Sequence, residues 1–211
     1  MPKTKGDSLT SMAYRRLRSD ILACRLAPGE KLVISDLVGS LGFSLGAVRE
    51  ALSRLTSEGL VQAETNKGYR VAPITREDLE DLTRVRTLIE TECLMNAIDH
   101  GDLKWESDIV ATLFELSRTS MLDPADPNKV NETWAAIHAR FHAALVAACD
   151  SPWLLHLRAL LYSQSERYRS FSVPLDRRNR DVHAEHVAIA DAALARDKAR
   201  AAEALAKHLG L

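Results

Sequence analysis

Two histidines lie four residues apart in the segment HARFH, residues 138–142. On a helix, residues i and i+4 share a face about one turn apart, so the imidazoles of His138 and His142 would be neighbours. Imidazole nitrogens are good ligands for zinc, nickel, copper and iron. The spacing therefore makes this segment a candidate for one side of a metal site.

A second pair of histidines, His186 and His208, stands near the C-terminal end, with its midpoint at residue 197. Asp197 is a suitable helix N-cap, and we expect a helix break between Ala195 and Lys198. A helical hairpin folded there would bring His186 and His208 to the same height on antiparallel helices. The two pairs of histidines can then converge in the core of a helical bundle.

The histidines also have a simpler interpretation, which spacing alone leaves open. A single histidine on an apolar helix face is more often a core residue with hydrogen-bond partners than a metal ligand. His183, one turn before His186, competes with it as a ligand. His100 and His156 are expected at the surface or at loop ends.

The segment that contains these histidines is predicted to be helical, because no clear strand pattern follows Thr75. Thr75 and Asp78 resemble a capping box at the start of the first helix. The segment 123–128 is rich in Pro and Asp and is expected to be a loop. Pro152 is expected to end one helix and begin the next. The apolar register of the first helix is Leu79, Leu82, Val85, Leu88 or Ile89, and Leu94. The predicted helices, six or seven in all, cover residues 75–101, 102–122, 129–150, 152–172, 175–196 and 197–210.

The N-terminal part has a different pattern, three helices followed by two short strands. Helix periodicity covers residues 9–25, Ser35 is expected to cap a short second helix, and Ser44 is expected to cap the third. Gly42 supplies the turn between the second and third helices, and the segment 65–68, Thr-Asn-Lys-Gly, suits the tip of a hairpin. This order predicts a winged helix-turn-helix.

The predicted fold is mainly α, with a winged helix-turn-helix followed by an all-helical bundle. Residues 1–12 are expected to be a flexible N-terminus, residues 13–75 a DNA-binding domain, and residues 76–211 a domain for effector binding and dimerisation.

In a winged helix-turn-helix the third helix enters the major groove with its N-terminal end. The residues expected there are Ser44, Leu45, Gly46 and Arg49. Arg49 can pair with guanine through two hydrogen bonds or bind a phosphate. The candidates for backbone contacts are Lys31, Arg54 and the wing residues Lys67, Gly68 and Arg70. The alternative is a small helical domain with a solvated charged face.

Charge is distributed unevenly along the 211 residues. Residues 1–75 carry 11 Lys and Arg against 7 Asp and Glu, whereas the rest carries 17 against 22. A basic N-terminal third indicates that this part meets a polyanion. Three cysteines without paired spacing, no signal-peptide pattern and no long apolar run predict a reduced, cytoplasmic protein without a membrane segment.

The segments LAPGEKL, LGFSLGAVREALSRLTSEGLV and NKGYRVAPIT resemble the winged-helix domain of the GntR family of bacterial transcription regulators. The resemblance implies a homodimer that binds a palindromic operator in double-stranded DNA. The family usually has Arg-Thr-Pro where this chain has Leu45-Gly46-Ala47. That arginine is commonly a DNA contact, so its loss removes a charge-assisted bond, and Leu45 could contact a thymine methyl instead.

The segments RTLIE, HARFHAALVAACDSPWL and EHVAIADAALARDKARAAEALAKHL resemble the FCD domain, the helical C-terminal domain of FadR-type members of that family. In that domain, the positions of His138, His142, His186 and His208 bind a divalent metal beside an effector pocket. The family usually has Asp at the position of His138. An imidazole there lowers the negative charge of the site by one, which favours zinc or nickel over manganese or magnesium. The alternative is that His138 swings out and three histidines bind.

The resemblance also implies a small organic acid as effector. Arg86 is the best candidate for its carboxylate, because a guanidinium can bind a carboxylate with two hydrogen bonds. The other candidates, on the helix expected to cover the pocket, are Arg158, Tyr162, Gln164 and Arg169.

The predicted function is a DNA-binding transcription regulator, a repressor, controlled by an acid bound beside a metal. One alternative is a regulator whose metal is purely structural, or which senses the metal itself. The other is a metal-dependent hydrolytic enzyme. The enzyme is disfavoured because the sequence has no HExxH motif and Glu185 is expected to point away from the face of His186.

Overall fold

A computed structural model describes residues 8–64, 68–172 and 180–210 of the chain. The chain divides into two compact units. The first is Met1–Thr75 together with Glu166–Tyr168, and the second is Arg76–Ser165 together with Arg169–Leu211. The mainly helical fold, with a winged helix-turn-helix before a helical bundle, is confirmed.

The first unit contains three helices and a small antiparallel sheet. Its elements are α1 (Leu9–Leu22), β1 (Lys31–Leu32), α2 (Ile34–Leu41), α3 (Leu45–Ser57), β2 (Val61–Glu64) and β3 (Gly68–Val71). The strand order is β1-β3-β2, and the pair Glu64–Gly68 closes the register of the β2–β3 hairpin. Residues 65–67 of the predicted hairpin tip, including Lys67, lie outside the described residues. Strand β1 was not predicted, because two residues carry no periodic signal.

The third helix begins and packs as its sequence predicts. The Ser44 hydroxyl accepts a hydrogen bond from the backbone N–H of Ala47, which is an N-cap interaction. The apolar face of α3, Val48, Ala51, Leu52 and Leu55, is buried in one core with Ala13, Leu17 and Ile21 of α1. The burial of this face fixes the rotation of α3 and leaves its opposite face exposed.

The predicted cap of α2 is wrong. Val33 is the N-cap residue and makes no capping hydrogen bond with its side chain, whereas the Ser35 hydroxyl contacts the Asp36 carboxylate. The helix starts early because β1 ends at Leu32, and the Val33 carbonyl already accepts from the N–H groups of the first turn. Gly42, in a left-handed conformation with φ 71°, ends the helix as predicted.

The second unit is a helical bundle, and six helices belong to it among the described residues. They are α4 (Arg76–His100), α5 (Leu103–Ser117), α6 (Glu132–Leu145), α7 (Pro152–Ser172), α8 (Val182–Leu194) and α9 (Lys198–Leu209). Helix α5 ends before the predicted residue 122, and α6 begins after the predicted residue 129, because the chain between them forms turns and one antiparallel bridge, Leu122–Val130. Of the segment 175–196 predicted as one helix, residues 175–179 are not described.

The α8–α9 hairpin turns where the sequence predicts. Asp197 caps α9 by accepting from the N–H of Arg200, and Arg196 takes a left-handed conformation with φ 59°. The Arg196 guanidinium donates to the carbonyl oxygens of Ile98 and Gly101, at 2.5 and 2.8 Å. These bonds hold the turn on the end of α4 and offset the cost of the unusual backbone conformation.

The core of the second unit is mostly apolar, with some polar side chains buried on helices α4 to α8. Leu94, Ile98, Phe141 and Ile189 are at most 2% exposed. Arg86 and Glu90 are also buried, whereas Leu88, one of the two residues considered for the apolar register, is 65% exposed. Ile89, the other one, packs against the core.

Within the part of the chain that the structure describes, no helix is both long enough and apolar enough to cross a bilayer.

Gly101 has no room for a side chain. A Cβ atom there would lie 2.2 Å from the Trp105 ring, which is buried and donates from its Nε1 to the Leu145 carbonyl oxygen. We expect Gly101→Ala to lower the free energy of unfolding by about 1–3 kcal/mol through overpacking. Urea denaturation followed by circular dichroism measures this loss.

Gly39, inside α2, is the control for Gly101. A Cβ atom at Gly39 meets nothing within 4 Å. Gly39→Ala should therefore raise stability by roughly 0.5–1 kcal/mol, because alanine restricts the unfolded chain and favours the helix. Equal effects of the two substitutions would contradict the packing described around Trp105.

Candidate functional site

The structure brings the four predicted histidines together in the second unit. His138 and His142 come from α6, His186 from α8 and His208 from α9. Each offers a ring nitrogen, and these four nitrogens all lie within 4.8 Å of one another. We call these four residues the histidine cluster. By contrast, His183, His100 and His156 are exposed.

The helices explain why the cluster forms. His138 and His142 are one turn apart on α6, and their Nε2 atoms are 3.1 Å apart. The α8–α9 hairpin places the ring centroids of His186 and His208 4.5 Å apart. Apolar residues around the rings exclude water, since Trp134 stacks on His138 at 4.6 Å and Phe141 packs edge-on against His186.

Burial keeps the cluster neutral. Desolvation lowers the pKa of His138 and of His142 well below the usual range, and nearby Arg169 adds to the effect at His138. Burial likewise lowers the pKa of His186 to about 2. Two buried nitrogens, Nδ1 of His142 and Nε2 of His186, have no hydrogen-bond partner among the described residues. A neutral imidazole keeps a lone pair on its unprotonated nitrogen, and that lone pair can ligate a cation.

A carboxylate next to the cluster was not predicted. Glu185 was expected to point away from the face of His186, but its Oε2 accepts from Nδ1 of His208 at 2.9 Å. That expectation considered α8 alone, whereas the partner comes from α9. The Arg180 guanidinium holds the same carboxylate at 2.8 Å. Although burial raises the pKa of Glu185, the hydrogen bonds from His208 and Arg180 lower it to about 2.

A second polar group lies beside the cluster on α4 and α7. Glu90, 1% exposed, accepts from Nε of Arg86 at 2.7 Å and from Nε of Arg158 at 3.3 Å. Both guanidiniums lie about 5 Å from the centroid of the Tyr162 ring. Sequence reasoning missed Glu90, although its i, i+4 spacing from Arg86 is a signal of such a pair.

Two of the predicted effector residues contact the cluster directly. The Tyr162 hydroxyl lies 3.2 Å from Nδ1 of His138, and Nη1 of Arg169 lies 2.8 Å from the same atom. Arg86 and Arg158 connect to the cluster through the Tyr162 ring, whose centroid is 6.1 Å from that of His142. Gln164 is partly buried on α7, and its role in an effector site stays a prediction.

In the first unit, the residues predicted to contact DNA differ in their exposure and in the partners they already have. Ser44, Leu45, Gly46 and Arg49 are exposed at the start of α3, and Lys31 is exposed on β1. A Cβ atom at Gly46 would meet nothing within 4 Å, so the surface there is open. This is the arrangement that a helix needs to enter a groove with its N-terminal end.

Two residues predicted to bind phosphate, Arg54 and Arg70, already have partners within the unit. The Arg54 guanidinium lies 3.7 Å from the centroid of the Tyr14 ring, and Arg70 donates to the Glu64 carboxylate and to the Gly29 carbonyl oxygen. Binding phosphate would require them to leave these partners. Gly68 begins β3 with φ 93°. Of the predicted basic contacts, Arg49 and Lys31 are the best placed in the described residues.

Known protein families match both units. The family of bacterial regulatory proteins named gntR matches residues 9–71, and the FCD domain matches residues 81–211. The chain belongs to the GntR family. It is a transcription regulator with a DNA-binding helix-turn-helix and an FCD domain, and its relatives are regulators rather than enzymes. The hydrolytic alternative is therefore set aside.

Individual relatives of this GntR protein span nearly its whole length. It is 39% identical to the HTH-type transcriptional regulator BphR of Paraburkholderia xenovorans, over 99% of this chain and 85% of that protein. It is 36% identical to the HTH-type transcriptional repressor GlaR of Escherichia coli, over 96% of this chain and 93% of that protein. Among solved structures, McbR/YncC of Escherichia coli has the same fold, with a TM-score of 0.78 at 21% identity over 96% of this chain and 93% of that one.

Substitutions at Arg49 and Leu45 are predicted to have opposite effects on DNA affinity. Arg49→Ala should weaken binding to a random-sequence duplex and reduce the slope of log affinity against log salt by about 1 per protomer, because one phosphate contact is lost. Leu45→Arg should strengthen binding and steepen the slope. Fluorescence anisotropy over a salt series measures both.

The matched control is Arg84→Ala, which removes an arginine with a 70% exposed side chain from α4. It leaves the helix-turn-helix unchanged, so the salt slope should not move. A loss as large as that of Arg49→Ala would mean that overall charge, and not the start of α3, determines DNA affinity.

Proposed function

We propose that this GntR regulator is a repressor whose binding to a palindromic operator is controlled by a small carboxylate bound beside a divalent metal in the FCD domain. The observation that carries the proposal is the histidine cluster, in which three buried imidazoles and the half-buried one of His208, from three helices, bring nitrogens within 4.8 Å of one another. The name of the relative GlaR, a transcriptional repressor, supports repression.

The donor set fits a borderline divalent metal. Imidazole suits zinc and nickel, and manganese or magnesium would be better served by carboxylates. Nδ1 of His142 and Nε2 of His186 are buried without partners, which is costly unless something completes the site. The four histidines would hold the metal, which would supply a positive centre for an anionic ligand.

The surroundings of the cluster suit an acid. Arg86 and Arg158 share a single carboxylate, that of Glu90, and Nη2 of Arg158 is buried without a partner. Two guanidiniums against one carboxylate leave a positive charge in a buried place. An anionic effector would balance that charge, and a carboxylate can accept two hydrogen bonds from a guanidinium.

A homodimer completes the proposal, because a palindrome presents two equivalent half-sites. Helix α7 carries a row of exposed apolar side chains at helical spacing, Trp153, Leu157 and Leu160. Exposed apolar rows of this kind mark interaction surfaces. Light scattering coupled to size exclusion determines whether the chain is dimeric.

The function is tested by selecting an operator from a random DNA pool and measuring binding with zinc, with a panel of small carboxylates, and with both. The proposal expects release of DNA when an acid is added to the zinc-loaded protein. Release that follows zinc concentration without any acid would favour the alternative, a regulator that senses the metal itself. No response to either would contradict both.

His186→Ala tests the metal centre. Loss of one ligand should weaken zinc binding by more than about 100-fold, since even the loss of a partner outside the ligand shell costs about 10–100-fold. Competition with a chromophoric chelator measures the affinity. The control is His183→Ala, an exposed residue one turn earlier on α8, which should bind zinc like the wild type.

Glu185→Gln tests the carboxylate behind His208. A carboxylate that accepts from the distal N–H of a histidine orients the ring and makes it a better ligand. We expect zinc affinity to fall roughly tenfold, because the amide lacks the charge that Arg180 and His208 share. Glu203→Gln, which neutralises an exposed carboxylate on α9, is the matched control and should change little.

A further inference from the structure

His138 has hydrogen-bonding partners on both nitrogens of its ring. Nη1 of Arg169 lies 2.8 Å and the Tyr162 hydroxyl 3.2 Å from Nδ1. On the other side, Nε2 of His138 lies 3.1 Å from Nε2 of His142. The residue is 3% exposed, so these groups determine where its proton lies.

The contact with Arg169 fixes the tautomer of His138. A guanidinium can donate hydrogen bonds but cannot accept them, so Nδ1 of His138 must be the acceptor. The single proton of the neutral ring is then on Nε2, which donates to Nε2 of His142. The result is one directed chain of hydrogen bonds from Arg169 through His138 to His142.

These hydrogen bonds determine whether His138 can act as a metal ligand. If His138 uses Nδ1, Nη1 of Arg169 occupies the required position. If it uses Nε2, the proton must move to Nδ1, where it would face a guanidinium N–H at 2.8 Å. In either case Arg169 has to move away. The Tyr162 hydroxyl can stay, because it can accept as well as donate.

We propose that Arg169 is a positioning residue that opposes ligation by His138, so that the metal centre has three histidine ligands while the Arg169–His138 contact exists and four once Arg169 has moved. The inference rests on the proposed metal centre. It makes the position of Arg169, near the end of α7, depend on metal occupancy. The Trp134 ring already lies 5.4 Å from the guanidinium carbon of Arg169, and this cation–π contact can persist when the contact with His138 is lost.

A double-mutant cycle tests the proposal. Arg169→Met removes every donor, and zinc affinity should rise roughly tenfold, the size expected when a competing charged hydrogen bond is lost. In a His138→Ala background the same substitution should have much less effect. Loss of the positive charge alone would strengthen zinc binding equally in both backgrounds, so the difference between them isolates the contact.

The outcomes separate this inference from the function on which it rests. If zinc binds the wild type but Arg169→Met weakens binding, or changes it equally in both backgrounds, the role of Arg169 is wrong and the metal centre stands. If the wild type binds no zinc, the metal centre itself is wrong.

A second measurement avoids variants altogether. Long-range proton–nitrogen NMR spectra of metal-free protein labelled with ¹⁵N-histidine should show His138 with a protonated Nε2 and an unprotonated Nδ1. On addition of zinc, Nε2 should lose its proton or Nδ1 should shift as a ligand. A metal-free His138 with its proton on Nδ1 would overturn the proposal.

Discussion

The feature on which the second unit depends is the packing of the α8–α9 hairpin against α6, because it places four imidazoles inside an apolar core. Buried polar nitrogens are costly unless they have partners, and the part of the chain that the structure describes does not supply all of them. The apolar contacts of Phe141, Ile189 and Leu205 supply the driving force that holds this arrangement together. The residues proposed as metal ligands therefore lie among the contacts that stabilise the second unit.

Charged side chains lie on both sides of the cluster, and the two sides differ in how far these charges balance one another. On the α9 side, Arg180 and Glu185 form a pair, and the carboxylate also orients His208. On the α4 and α7 side, two guanidiniums share the Glu90 carboxylate, and this excess of positive charge is suited to an anion. One side of the cluster is thus internally balanced, and the other keeps an excess of positive charge that the proposed anionic effector would balance.

The first unit combines a small apolar core with an exposed start of α3. Its small core fixes the rotation of α3, and the helix start that remains exposed carries Leu45 and Gly46 where the family usually carries Arg-Thr. Arg54 and Arg70 are paired within the unit, which leaves Arg49 and Lys31 as its best-placed basic groups. The start of α3 in this chain therefore offers fewer basic groups to DNA than the family pattern.

The sequence by itself determined the helix starts at Ser44 and Asp197, the stop at Gly42 and the facing positions of the histidine pairs, because these features depend on local periodicity and capping. It did not determine β1 or the start of α2, which depend on strand pairing, and it left open whether Leu88 or Ile89 faces the core, where the structure has Ile89. Only the tertiary structure decided that Glu185 contacts His208, that Glu90 joins Arg86 to Arg158, and that Arg169 reaches His138. These are contacts between residues 23 to 68 positions apart. Such contacts depend on how different helices pack together, and the spacing of residues along one helix does not specify which side chain of another helix they will meet.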